Sequence, residues 1–156
     1  MKKRISVFFV AFSSILASGV YFGAPASAAV MCSDRQLKEF ATPGENVDVS
    51  ISLCVEKVNG VFKARAYGTA TDGGGLRKFD SFIVEIVLEK SDVMQKYQDC
   101  IFTTRINDNA NSNLDCTSPG TSAAGRYTAD GSIYYDLDGD GQGGYTWQLT
   151  GSPSLA

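Results

Sequence analysis

Hydrophobic and polar residues alternate along much of the chain, which is the pattern of β-strands that bury one face. In residues 47–56 the odd positions are all Val, Ile or Leu, and the even positions are Asp, Ser, Cys or Glu. Asn59-Gly60 follows as a hairpin turn, and residues 61–71 form the returning strand. Residues 82–89 are almost continuously apolar and predict a central strand.

The stretch from residue 94 onward has a weaker pattern. Residues 94–105 are rich in β-branched and aromatic side chains without clear alternation, and they predict one further strand. Residues 107–125 are rich in Asn, Ser and Gly. They predict a long loop with at most a short strand around residues 114–117.

A second hairpin is predicted from residues 132–137 and 144–150. Its alternation places three aromatic side chains on the buried face and leaves Tyr134 outside. The three are Tyr135, Tyr145 and Trp147. No helical period appears after residue 28, so we predict an all-β fold: an antiparallel β-sandwich of about seven strands with two disulfides.

The N-terminus has the three regions of a secretory signal peptide. Residues 2–4 are basic, residues 5–17 are almost wholly apolar, and Ala26-Ser27-Ala28 suits signal peptidase. A retained membrane anchor is the alternative, but the small residues that follow the apolar stretch favour cleavage. We therefore predict a signal peptide at 1–28 and one secreted, extracellular domain at 29–156, with no membrane association in the mature form.

Charge and composition restrict the function classes. The whole chain has a net charge of −3; removal of three cations with the signal peptide leaves 11 basic against 17 acidic residues, a net charge of −6. An acidic domain is not expected to bind nucleic acid or anionic membranes. The sequence contains no His, which excludes Ser-His-Asp and Cys-His catalytic sites and His-ligated zinc or iron.

The four cysteines predict two disulfides, because their number is even and the domain is predicted to be exported. Three pairings are possible, and we favour the sequential one, Cys32 with Cys54 and Cys100 with Cys116. Neither pair has the C-x-x-C spacing of redox or zinc motifs. The cysteines are therefore interpreted as structural.

One motif suggests a metal. Residues 136–141 read Asp-Leu-Asp-Gly-Asp-Gly, which is the opening of a calcium loop, with Asp136, Asp138 and Asp140 as ligands. An EF-hand is excluded, because Trp147 occupies the position of the closing Glu and the flanks are strand-like. Two interpretations stay open: a turn that selects Asp and Gly, or a looser calcium site. No other cofactor is predicted.

Paired carboxylates for glycoside hydrolysis are the enzymatic possibility that we considered. Glu85 and Glu89 lie four strand residues apart, which is roughly 13 Å at ~3.3 Å per residue. Glycosidase carboxylates lie roughly 5 to 9.5 Å apart. We interpret both residues as solvated charges of a sheet and predict a non-enzymatic protein.

Two segments are candidate surfaces for a protein partner. Long loops in compact domains are often functional, and the predicted loop offers four contact residues. These are Asn109, Asn111, Asn113 and Leu114. The stretch 29–45 is the second candidate, because it could lie along a sheet edge or donate a strand to a partner.

Several segments resemble small secreted β-sandwich proteins of Streptomyces-type actinobacteria. They are Cys54 after the first alternating strand, Arg77-Lys78-Phe79-Asp80-Ser81-Phe82, the strand end Leu88-Glu89 and the closing run 136–153. Among these proteins the chain is similar to the adaptor subunit of umbrella toxin particles, which links the repeats of a large toxin chain to lectin-like subunits. The resemblance implies a secreted protein-binding adaptor in an antibacterial toxin complex. The alternatives are a secreted inhibitor of a hydrolase and a carbohydrate-binding module.

Overall fold

The computed structural model describes residues 28–156, so the predicted signal peptide lies outside the described residues except for Ala28. The described part contains nine β-strands and one short helix, α1, at Thr103–Asp108. The strands are β1 Ala29–Cys32, β2 Gln36–Phe40, β3 Val47–Val58, β4 Val61–Thr71, β5 Phe79–Lys90, β6 Val93–Ile101, β7 Asn111–Thr117, β8 Thr128–Leu137 and β9 Tyr145–Gln148.

The strands form two antiparallel sheets. In sheet A the strand order is β3, β4, β7, and β1 and β2 both pair with the edge of β3 that faces away from β4. In sheet B the strand order is β6, β5, β8, β9. The predicted all-β, sandwich-like fold is confirmed. The strand count is nine rather than about seven, because residues 29–40 supply two strands that the alternation did not reveal.

The first hairpin agrees closely with its prediction. β3 and β4 pair without interruption from Val58 opposite Val61 to Asp48 opposite Thr71. Asn59 and Gly60 have φ angles of 52° and 76°, the left-handed values that a two-residue hairpin turn requires.

One apolar core lies between the sheets. After Phe62, the inward positions of β4 carry small side chains, Ala64, Ala66 and Ala70, whereas β5 contributes large ones. Those from β5 are Phe79, Phe82, Val84, Ile86 and Leu88. The small residues of β4 leave room for the large residues of the facing sheet, which allows the two faces to interdigitate at interior density.

The interpretation of residues 94–125 was partly wrong. The sixth strand ends at Ile101, the six-residue helix α1 follows, and much of the predicted loop is β7. Tertiary contacts hold the helix: the Asn107 side chain accepts hydrogen bonds from the N–H groups of Lys78 and Phe79 and donates to the Phe79 carbonyl. A helix this short depends on such contacts and leaves no periodic signal in the sequence.

Both predicted disulfides are confirmed. Cys32–Cys54 joins the paired strands β1 and β3 within sheet A, and Cys100–Cys116 joins β6 of sheet B to β7 of sheet A. Two disulfides are typical of an oxidising compartment. Within residues 28–156, no helix has the length and apolar character needed to cross a membrane.

Candidate functional site

The edge strands of the two sheets differ in how well they are covered. In sheet A, β1 and β2 have only four and five residues. The β7 edge is partly covered by α1, where Arg105 Nη1 donates to the Asn113 carbonyl at 3.0 Å and its own carbonyl accepts from Ser112 Oγ at 3.0 Å. In sheet B, β9 has four residues.

β6 is the exception among these edges. It has nine residues, roughly 30 Å at ~3.3 Å per residue, and pairs with β5 on one side only. Near its C-terminal end, Cys100 connects it to β7. Unpaired N–H and C=O groups along such an edge are a template for pairing with another chain.

The side chains of β6 are unusually apolar for an exposed edge. Val93, Met94, Tyr97 and Ile101 are 60%, 59%, 43% and 74% exposed. On the neighbouring β5, half-buried Val87 lies opposite Tyr97, and half-buried Ile83 lies opposite Ile101. A group of exposed apolar side chains along one sheet edge is a candidate interaction site.

Carboxylates surround these apolar side chains on the outer face of sheet B. They are Glu85, Glu89, Asp99 and Asp130, and we call the outer surface of β6, β5 and β8 around them the acidic face. Glu85 and Asp99 lie directly opposite each other on β5 and β6, an arrangement in which like charges repel. Among residues 28–156, none of the four forms an ion pair.

The local field perturbs two groups on this face. Hydrogen bonding to Asp99, with burial and the nearby Glu85, raises the pKa of Tyr97 to about 12. Burial, together with Asp130 and Asp92, raises the pKa of Glu89 above its usual value. Charged Glu89 therefore opposes folding at neutral pH, and this opposition disappears as the pH falls through its raised pKa. A cation bound beside Glu89 would reduce the repulsion of its carboxylate by Asp130 and Asp92.

On the outer face of sheet A, unlike the acidic face of sheet B, acidic side chains are paired with an arginine. Arg65 donates from Nε and Nη2 to Asp115 at 2.9 and 2.6 Å, and its Nη1 lies 3.3 Å from Glu56 Oε1. These hydrogen bonds from Arg65 lower the pKa of Asp115. The pair stabilises the fold above the usual Asp pKa, and this contribution is lost as the pH falls through the lowered value.

Comparison of the chain with known proteins adds no identification. No family model, curated protein or solved structure matches it. Its function is therefore inferred from the residues and surfaces themselves.

The four predicted contact residues do not lie together on one loop. Asn109 follows α1 and donates to the Arg105 carbonyl at 2.8 Å. Asn111 and Asn113 are exposed on β7. Leu114 points into the core and is 1% exposed, so its side chain is not accessible to a partner. The three asparagines stay candidates for contact.

The N-terminal stretch occupies a sheet edge of its own chain. β1 pairs with residues 54–57 of β3, and β2 pairs with residues 47–51. Of the two possibilities for residues 29–45, an edge position or donation to a partner, the structure shows the first. Donation would require these strands to leave β3.

Two of the three predicted calcium ligands make other contacts. Asp138 Oδ1 lies 3.3 Å from Arg77 Nε, and Asp140 Oδ1 accepts a hydrogen bond from the Gln142 N–H at 2.8 Å. Among residues 28–156, no group of three or more acidic or Cys side chains is placed to hold a metal ion. The geometry favours the turn interpretation of residues 136–141.

We expect millimolar calcium to leave the melting temperature of the domain unchanged. An ion that binds only the folded state stabilises it by mass action, and the three Asp side chains do not converge to bind one. Differential scanning calorimetry with calcium and with chelator tests this. A rise in melting temperature that disappears in Asp138→Ala would contradict it.

The predicted positions of the two glutamates and of the aromatic residues agree in part with the structure. Glu85 and Glu89 both lie on β5, as expected for charges of one strand, but both are half-buried instead of fully solvated. Tyr135 and Trp147 are half-buried and pack against the core, but Tyr145 is 41% exposed and stacks on Tyr135 with ring centroids 5.6 Å apart. Tyr145 therefore lies on the predicted inward face, opposite Tyr135, but on the edge strand β9, where it is exposed instead of buried.

Lys38 was missed at the sequence level. Its Nζ donates to the Tyr135 hydroxyl at 2.9 Å and lies 4.6 Å from the Tyr135 ring centroid. It also lies 5.2 and 5.6 Å from the ring centroids of Phe40 and Trp147. The lysine connects β2 to sheet B through cation–π contacts.

Proposed function

We propose that the protein is a secreted, non-enzymatic protein-binding module that docks its partner on the β6 edge and the acidic face. The observation that carries the proposal is a nine-residue edge strand, paired on one side only, with four exposed apolar side chains beside carboxylates that form no ion pair within residues 28–156. Main-chain pairing along β6 would supply affinity, and the flanking side chains would supply specificity.

The charge of this surface indicates the chemistry of the partner. Its occupant is an extended segment of another protein with Lys or Arg side chains among apolar ones, because such a segment neutralises the acidic face while it covers β6. A second copy of the same chain is a poorer occupant. Pairing two β6 strands would extend one sheet across both acidic faces and bring their carboxylates together.

The family resemblance suggests where such a partner belongs. An adaptor of an umbrella toxin particle would join a large toxin chain and a lectin-like subunit, and one of these would carry the basic segment. A hydrolase with a basic surface segment is the competing partner, in which case the protein acts as an inhibitor. Binding without chemistry is supported by the absence of His and by the position of Glu85 and Glu89 on one strand.

Charge insertion at the docking surface is expected to abolish capture of the partner. Immobilised mature protein is incubated with culture supernatant of the native organism, and bound proteins are cross-linked and identified by mass spectrometry. In Ile101→Lys, which places a cation on the 74% exposed Ile101, we expect at least about a tenfold loss of the captured protein, because buried interface positions dominate binding.

The matched control is Leu37→Lys, since Leu37 is 73% exposed but lies on β2 of sheet A. This variant should capture as much as the wild type. Raising the salt concentration should weaken capture, because the attraction is between opposite charges. Equal capture by Ile101→Lys, or a dimer of the free protein that strengthens with salt, would contradict the proposal.

A further inference from the structure

A groove crosses the outer face of sheet A, away from the acidic face. Two adjoining cavities of about 330 and 370 Å³ form it, and both are lined by Ser50 of β3 and Thr69 of β4. Each volume lies within the range of small-molecule sites, about 300 to 1,000 Å³. The groove continues from Tyr67 to Thr71 along β4, roughly 13 Å at ~3.3 Å per residue.

The floor of the groove consists of small residues. Ser50 and Ser52 of β3 face Thr69 and Tyr67 of β4 in the strand register. Between the two β4 residues, Gly68 packs so tightly against β3 that a Cβ would collide with the Ser50 carbonyl oxygen. Longer side chains form the two walls of the groove. They are Arg35 and Leu37 on one side, and Asn113 and Asp115 of β7 on the other.

The hydroxyl of Ser52 lacks a partner from the protein. Ser52 is 6% exposed and lines the groove, and it takes part in none of the side-chain hydrogen bonds formed among residues 28–156. That part of the chain contains no fully enclosed polar side-chain atom without a partner, so the Ser52 hydroxyl opens onto the groove. Buried hydroxyls are normally hydrogen-bonded, and a ligand in the groove would satisfy this one.

The other lining groups define the ligand chemistry. The hydroxyls of Ser50 and Thr69 are also free of hydrogen bonds within the described residues, and each can both donate and accept. Tyr67 is 43% exposed beside them and offers a ring face for stacking. Hydroxyl groups next to an aromatic face match the alternating polar edges and apolar faces of sugar rings.

Charge in the groove is balanced. Arg35 lines one cavity, and Lys38, Glu39 and Asp48 line the other, so two cations stand against two anions. Asp115, which also lines the first cavity, is paired with Arg65. The geometry points to a binding site for a neutral oligosaccharide, with Tyr67 as the stacking residue and Ser52 as a buried hydrogen-bonding residue. This site goes beyond the proposed docking function and uses the opposite face of the molecule.

The test is an NMR titration of the ¹⁵N-labelled mature domain with four neutral probes: cello-, xylo-, malto- and chito-oligosaccharides. At least one series should shift the amide signals of Ser50, Gly68 and Thr69 in a saturable manner. Tyr67→Ala should weaken that binding about tenfold, through the loss of stacking. Ser52→Ala should weaken it several-fold, through the loss of one hydrogen bond.

Two further variants make the result decisive. Tyr67→Trp preserves an aromatic face and should retain binding, which separates stacking from any effect on folding. Tyr145→Ala removes a tyrosine of similar exposure, 41%, from sheet B and should bind like the wild type. The inference is overturned if no series shifts any signal at millimolar concentration, if the shifted signals lie outside the groove, or if Tyr67→Ala binds normally.

The outcome is separable from that of the docking proposal. Ile101→Lys should bind the oligosaccharide like the wild type, because Ile101 lies on β6 of sheet B. A sugar titration that fails therefore leaves the capture experiment to be judged on its own result.

Discussion

Replacement of Phe40 by alanine is expected to lower the free energy of unfolding by about 3–5 kcal/mol, the range for a large aromatic removed from a core. Phe40 ends β2 and is 2% exposed. Its ring centroid lies within about 6 Å of four others, with edge-to-face geometry: Phe79 at 5.5 Å, Phe82 at 5.7 Å, Tyr135 at 4.7 Å and Trp147 at 6.2 Å. Chemical denaturation followed by fluorescence measures the loss.

Leu37→Ala is the control for this prediction. Leu37 lies on the same strand but is 73% exposed, so its truncation should change the unfolding free energy by less than about 0.5 kcal/mol. If Phe40→Ala lowers the free energy of unfolding no more than Leu37→Ala does, β2 is not part of the cooperative core. Residues 29–40 are then only loosely attached to β3.

Removal of the disulfide between the sheets is the second large effect that we expect. The double variant Cys100→Ala/Cys116→Ala opens a link with a sequence separation of 16, for which the chain-entropy relation gives a loss of about 3 kcal/mol. Unfolding in urea measures this loss. Hydrogen exchange should also become faster in β6 and β7, the strands that this bond joins.

The comparison is Cys32→Ala/Cys54→Ala, which opens a link with a separation of 22 between strands that already pair. Its loss of stability should be of similar size, because the two loops are similar in length. Its faster exchange should be confined to β1 and the adjoining part of β3. Identical exchange patterns in the two double variants would show that neither bond acts locally.

Sequence patterns predicted the long strands with alternating apolar residues and missed β1, β2 and the first part of β7. β3 has alternating apolar residues because one side faces the core and the other faces solvent. In β6 exposed and half-buried positions alternate from residue 95 to residue 101, but the half-buried positions include Lys96 and Gln98, and the exposed ones include Tyr97. The apolar residues of β6 therefore follow no period.

The oligosaccharide groove was beyond sequence reasoning for a different reason. Ser50, Ser52 and Thr69 are the polar positions of ordinary alternating strands. They form one floor only because β3 and β4 pair in a register that places Ser50 opposite Thr69. Side-chain periodicity fixes which face a residue occupies, whereas the cross-strand register fixes its neighbours.

The Cys100–Cys116 bond has a consequence for how the two proposed surfaces work together. It joins β6, which forms the docking edge, to β7, whose Asn113 and Asp115 form one wall of the groove. A protein bound at the edge and a glycan bound in the groove are thereby held at a fixed spacing on one rigid body. The domain would therefore bind bivalently. Once a glycan in the groove holds the domain on a surface, the protein partner on that same surface binds at a high effective concentration.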